Sequence, residues 1–115
     1  MAGVTFPAGV LITDRIQLES DAATVVYEAL QGRTTILSIV AVEVGGANVT
    51  LSVEVTDGVQ SWFLQKDVDM KARGEVTLRT VIALNNNEAL KVTSSDPDGN
   101  VHVFVTYCSP FAAAR

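Results

Sequence analysis

Residues 48–57 read Asn-Val-Thr-Leu-Ser-Val-Glu-Val-Thr-Asp, with Val49, Leu51, Val53 and Val55 alternating with Thr50, Ser52, Glu54 and Thr56. A β-strand turns successive side chains to opposite faces, so a strict period of two marks a strand with one buried and one wetted face. The same period returns in Val76, Leu78, Thr80, Ile82 and Leu84, in Leu90 and Val92 set against Lys91 and Thr93, and in Val101, Val103, Val105 and Tyr107. Residues 34–44 are rich in β-branched side chains and apolar at almost every position, which predicts a central strand covered on both faces. Residues 23–30 and 59–65 complete a set of about seven or eight strands. No segment carries an apolar stripe at helical spacing. Residues 66–74 have room for a single helical turn and read as an irregular connection.

Turn chemistry falls between these runs: Gly-Gly-Ala-Asn at 45–48, Asp-Gly at 57–58, Asn-Asn-Asn at 85–87 and Asp-Pro-Asp-Gly-Asn at 96–100. Gly, Asn and Asp tolerate positive φ and Pro97 presets a turn, so each cluster is a mechanism for reversing the chain. Short strands at regular spacing, joined by such turns, predict an all-β fold: an antiparallel β-sandwich or jelly roll. The chain has 115 residues, room for one core of ordinary size. We divide it into an N-terminal arm or strap (1–21), a β-sandwich domain (22–110) and a short C-terminal tail (111–115).

Charged residues make up 18% of the chain against 48% hydrophobic. Soluble domains average about 25% charged, and a surface poor in charge is what an assembly hides. Eight Lys and Arg against 13 Asp and Glu give a net charge of −5, with the basic residues scattered singly. Nucleic-acid binding needs a basic footprint, so no nucleic-acid partner is expected. The first residues lack the basic and apolar regions of a signal peptide, and no apolar run is long enough to span a bilayer as a helix. The expectation is a protein made and folded in the cytoplasm, with no membrane partner. A lone Cys108 fits a reducing compartment and excludes an intramolecular disulfide.

Candidate chemistry is sparse. His102 is the single histidine, so a Ser/His/Asp or Cys/His arrangement has to run through it. Cys108 lies six residues on along the same strand, roughly 20 Å away at strand rise, too far for a nucleophile and its base. Asp96, Asp98 and Asn100 have the spacing that opens a calcium loop, but no downstream carboxylate follows, and a turn explains them better. Asp67 and Asp69 read as a solvated segment, Glu88 has no carboxylate partner at a definable distance, and Asn48-Val49-Thr50 is a sequon with no secretion signal. Trp62, Phe63 and Tyr107 are candidates for an aromatic sugar platform, although core packing accounts for them more simply. The chain is therefore read as not an enzyme, with no metal site and no cofactor.

The order of motifs resembles a family. The sequence runs ATVVYEA (23–29), TTILSIVAVE (34–43), NVTLSVEV (48–55), WFLQKDVDMKARGE (62–75), TLRTVIAL (77–84), NEALKV (87–92) and VHVFVTY (101–107). This is similar to the small β-sandwich virion proteins of tailed bacteriophages, which serve as head decoration, neck or tail components. The resemblance covers residues 22–108. It departs from the usual pattern at Lys71-Ala72-Arg73-Gly74, where members carry Pro and Gly, and it brings no catalytic residues.

The resemblance implies a structural protein of the phage virion, a capsid decoration or cement protein first, with a tail, neck or baseplate component as the alternative. A carbohydrate-binding sandwich using Trp62 or Tyr107 is a second alternative. Implied partners are other virion proteins, the major capsid protein foremost, and further copies of the chain, a trimer being one form. The expected interface residues are Val4, Phe6, Val10, Leu11 and Ile12 in the arm and Phe111 in the tail, apolar groups in segments with few charges. Their bland reading is a strap over the protein's own core.

Overall fold

A computed structural model describes residues 10–30 and 32–109. Among these the chain forms nine strands and no helix: β1 (Val10–Leu18), β2 (Thr24–Glu28), β3 (Thr34–Glu43), β4 (Val49–Thr56), β5 (Ser61–Met70), β6 (Glu75–Leu78), β7 (Ile82–Leu84), β8 (Ala89–Ser94) and β9 (Val101–Ser109). One sheet has the order β1-β9-β3-β6, with β7 also on β3; the other has the order β2-β8-β4-β5. Every pairing is antiparallel. The two sheets face each other as a β-sandwich.

Alternation sets which residues meet between the sheets. Ile36, Ile39 and Ala41 of β3, Val101, Val103 and Val105 of β9, Leu51 and Val53 of β4, and Leu90 and Val92 of β8 are all buried in one cluster. Fully burying one such side chain contributes about 1.5–3 kcal/mol, so this cluster is the main driving force for folding.

Four expectations are corrected by the ladders. Residues 34–44 were expected to be covered on both faces. Instead β3 buries one face, and a register shift between Ile36 and Ser38 moves the buried phase from Thr34 and Ile36 to Ile39, Ala41 and Glu43. The slip makes the run look apolar throughout. Residues 76–84, expected as one strand, are split: β6 pairs Ile39–Val42 and β7 pairs Thr34–Ile36, with residues 79–81 exposed between them. The break falls beside the irregularity in β3, so the partner breaks where the ladder does.

Residues 66–70, expected in an irregular connection, instead extend β5 past two register shifts, with Asp67 at φ 50°. The Ser52 hydroxyl accepts a hydrogen bond from the Asp67 amide at 2.9 Å and holds that bulge in place. Lastly, residues 10–18 of the stretch read as an arm are β1, paired along its whole length with β9. Ile12, Ile16 and Leu18 pack into the core cluster. Residues 1–9 and the tail from 110 lie outside the described residues.

Candidate assembly surface

The ladders place the chain's features at two ends. β1 begins and β9 finishes at one end, where Val10 stands opposite Ser109. There too lie the start of β3, the end of β2, the turns at 57–60 and 85–88, and the first residues of β5. The opposite end carries the turns at 19–23, 44–48, 71–74 and 95–100.

The far end is built from polar groups. Glu43, only 1% exposed, accepts hydrogen bonds from the amides of Gly45 at 2.8 Å, Gly46 at 2.9 Å and Arg73 at 2.8 Å. One carboxylate thus clasps two loops. Gly46 is suited to its place because φ there is 88°, a conformation open to glycine at little cost. These donors, Arg73's foremost, hold the Glu43 carboxyl below its usual range against the opposing effect of burial. Sequence reading passed over this residue; the only signal was a glutamate ending an apolar strand directly before Val-Gly-Gly.

Asp96 is buried beside that end, and its Oδ2 accepts the Asn100 amide at 2.6 Å. This is the turn expected from Asp96, Asp98 and Asn100. Gly99 completes it with φ 79°, and its carbonyl accepts the Gln17 Nε2 at 2.7 Å, so the turn is tied to β1. Among the described residues no group of three His, Cys, Asp or Glu is placed to hold a metal ion.

His102 stands opposite Gln17 and Val42, and Cys108 opposite Leu11 and Thr35, in an unbroken β1–β9 ladder. The strand keeps the two side chains roughly 20 Å apart. The aromatic candidates are also separated. Trp62 lies on β5, the edge strand of one sheet, while Tyr107 belongs to the other sheet, is 8% exposed and packs on Tyr27 with ring centroids 4.4 Å apart. Tyr107 therefore offers no stacking face to a sugar, which removes half of that alternative.

Tyr107 instead explains β1. Its hydroxyl donates to Asp14, which sits at an inward position between Ile12 and Ile16. Burial first, then the Asp14 carboxylate, push the Tyr107 phenol up to about 12. An absorbance titration should show a tyrosine ionising near that value, and Asp14→Asn should move it back toward the ordinary range of about 10. Because the folded value is the raised one, this contribution to stability is complete below about 10 and is lost as pH climbs toward 12. A titration in which Tyr107 ionises near 10 with the fold intact overturns the contact.

The end where the described chain starts and stops carries several exposed apolar side chains among polar turns. Leu30, Val59, Trp62 and Phe63 are exposed there, and so is Leu11 on β1, an end strand of the other sheet. Of the expected interface residues, Leu11 is 50% exposed, on the outer face beside Cys108, whereas Ile12 is half-buried against the protein's own core. Val10 opens β1. Val4, Phe6 and Phe111 lie outside the described residues. The sequence reading missed the β5 group, because Trp62 and Phe63 were weighed as a sugar platform rather than as an edge.

Neither a family model nor a curated protein matches the sequence. Solved structures do match in fold. The capsid of the Helicobacter pylori bacteriophage KHP30 aligns with TM-score 0.54 at 14% identity, over 92% of this chain and 91% of that one. A pentameric capsid protein from metagenomic phage sequences aligns with TM-score 0.51 at 14% identity, over 86% of this chain and 64% of that one. A chain of the T13 IBDV viral particle aligns with TM-score 0.52 at 8% identity, over 93% and 33%. This chain thus spans less than two thirds of the latter two proteins, and at these identities what is shared is the fold.

Proposed function

We propose that this protein is a non-enzymatic structural component of a tailed-phage particle, and within it a decoration or cement protein of the head shell. The observation that carries the reading is the strand order β1-β9-β3-β6 facing β2-β8-β4-β5. That order supports reading the sandwich as a jelly roll, an architecture recurrent in viral capsid and lectin domains. Of those two uses, the lectin-like one loses support because Tyr107 is buried, while the fold likeness to two phage capsid proteins favours the first.

The partners in this reading are the major capsid protein and further copies of the chain. Binding draws on the exposed Leu11, together with Val4 and Phe6, which precede β1 in the sequence, and Phe111, which follows β9. Each contact is modest alone, and repetition over a symmetric shell multiplies it. The pentameric state of one structural neighbour supports a ring-forming homo-oligomer as readily as a trimer.

The test is location and truncation. Mass spectrometry and cryo-electron microscopy of purified particles should find the chain at many copies on the head. Because β1 begins at Val10, a truncation that spares the sandwich removes residues 2–9. That variant should keep its β spectrum and lose at least about tenfold in particle binding, equivalent to about 1.4 kcal/mol. Absence from particles overturns the reading, and undiminished binding of the truncated chain removes the arm from the interface.

A further inference from the structure

We infer that a second copy of this chain stacks on the outward face of the β1-β9-β3-β6 sheet, like face on like face, with β1 of one copy over β6 of the other. This deepens the reading of the chain as a self-associating shell protein and rests on it.

The two outer faces of the sandwich differ. In the β2-β8-β4-β5 sheet the central strands turn polar groups outward: Lys91 and Thr93 on β8, and Thr50, Ser52 and Glu54 on β4. In the other sheet the central strands turn Val40 and Val42 of β3 and Phe104 of β9 outward. Phe104 stands opposite Val40, and His102, two residues before it, stands opposite Val42, so the apolar groups form one stripe. Each of them is half-buried among its neighbours rather than covered. An antiparallel sheet with one wetted face carries polar groups there, so an apolar stripe across both central strands marks a face that a partner covers. The sequence of β3 suits a strand covered on both sides, and the chain itself covers one.

Charge separates the faces again and selects the occupant. Among the strand residues of this sheet, β7 included, the charged ones are Asp14, Arg15, Glu43 and Glu75. Asp14 and Glu43 lie in the inward phase, which leaves Arg15 and Glu75 outward, and their charges cancel. Arg33 and Arg79 are exposed beyond the strand ends. The opposite face carries Glu28, Glu54, Asp67 and Asp69 against Lys66 and Lys91. Copies of a chain with a net charge of −5 repel when two such acidic faces approach, and the neutral face is where they meet without that repulsion.

The arrangement closes. The two outer faces look in opposite directions, so stacking unlike faces would run on as an open column, whereas like on like ends at two copies. A two-fold axis parallel to the strands, between β9 and β3, lays β9 over β3 of the partner and β1 over its β6. Phe104 then meets Val40 of the partner subunit. Arg15 is level with Phe104 on one edge strand, and Glu75 is level with Val42 on the other, one row along. Each Arg15 therefore comes down at the edge that holds Glu75 of the partner subunit, and symmetry repeats the contact at the other edge. A shallow hollow of about 250 Å³, with Arg15, Gln17, His102 and Phe104 in its lining, gives incoming side chains room.

Area sets the strength. Four strands about 4.8 Å apart and about 30 Å long offer roughly 500 Å² per copy. Two faces give roughly 1,000 Å², short of the 1,200–2,000 Å² of a stable standalone interface. The contact is weak between free chains and useful where other shell contacts already hold the copies close.

The full chain should sediment as a monomer near about 10 μM and shift toward dimer near about 1 mM. Arg15→Glu and Glu75→Arg should each stay monomeric at about 1 mM with unchanged circular dichroism, because either reversal sets like charges together at both edges. Both residues are exposed, so neither change should disturb the fold. An equimolar mixture of the two variants should recover the dimer, since both edges then hold opposite charges. Val42→Lys should abolish association, and Thr93→Glu, on the acidic face, should leave it as in the parent. A parent that never associates, a single variant on the neutral face that associates as the parent does, or a mixture that stays monomeric overturns the stacking, while the shell reading stands. Loss of association in Thr93→Glu moves the contact to the acidic face and overturns it as well. Absence of the chain from particles would overturn the shell reading alone, since the sedimentation result does not depend on it.

Discussion

Leu90→Ala should lower the stability of the domain by about 2–5 kcal/mol, measured as a fall in the urea midpoint with little change in slope. Leu90 is fully buried, and β8, which carries it, lies between β2 and β4. Its register partners are Tyr27 on one side and Val55 on the other, both packed against the core cluster, so neither neighbour can swing in to fill the space. Truncation therefore removes apolar burial and leaves a cavity, and both terms have the same sign. A domain of this size has about 5–15 kcal/mol in all, so the change takes a large share. Val59→Ala is the control: at an exposed turn position it should change stability by no more than about 0.5 kcal/mol. A loss at Leu90 below about 1 kcal/mol would mean that the two sheets are not packed as described.

Much of this fold is legible in the sequence, and where it is not, a particular residue stands in the way. β4, β8 and β9 appear as plain alternation because most of their larger apolar residues share one face, as Val49, Leu51, Val53 and Val55 do, even though Ser52 and Thr56 of β4 are buried as well. β3 hides a bulge, since slipping the phase between Ile36 and Ser38 turns an alternating strand into an unbroken apolar run. Its partner then looks like one strand when it is two. β1 was hidden by Asp14, a charge at an inward position that its sequence neighbours cannot explain; the explanation is the hydroxyl of Tyr107, 93 residues away. β5 was cut short because Asp67 in a left-handed conformation reads as a loop, whereas Ser52 on the neighbouring strand stabilises it as a bulge.

The candidate site was legible only in kind. A low charge content pointed to buried surface in an assembly, but which apolar residues stay exposed is decided by sheet order. Trp62 and Phe63 sit in a strand that would bury them in the centre of a sheet; placed fourth in β2-β8-β4-β5 it leaves them half exposed. Glu43 is the converse case. On sequence it interrupts an apolar strand, and in the fold it joins two loops that are about 30 positions apart.

Glu43→Ala should lower the unfolding temperature at pH 7 by several degrees and open the far end of the sandwich to amide exchange. The reason is an asymmetry of hydrogen bonding: the carboxylate satisfies the amides of Gly45, Gly46 and Arg73, and removing it leaves those donors facing a space with no acceptor. Glu43→Gln keeps the shape and one acceptor oxygen, so its effect should be smaller at pH 7 and should appear chiefly in the pH profile. The folded state holds the Glu43 carboxyl below its usual value. Its stabilising contribution is therefore present above the unfolded value of about 4.3 and disappears as pH falls through the lower, folded one. Asp57 behaves likewise, since its Oδ1 accepts the amides of Gln60 at 2.7 Å and Val59 at 2.9 Å, but it holds one exposed turn together rather than two loops. Unfolding temperatures taken from pH 7 to pH 3 should thus fall less steeply below about 4.3 in Glu43→Gln than in the parent, with Asp57→Asn between them. Parallel profiles for the parent and Glu43→Gln would show that the clasp carries no net stability and that the two loops are held by their backbone contacts alone.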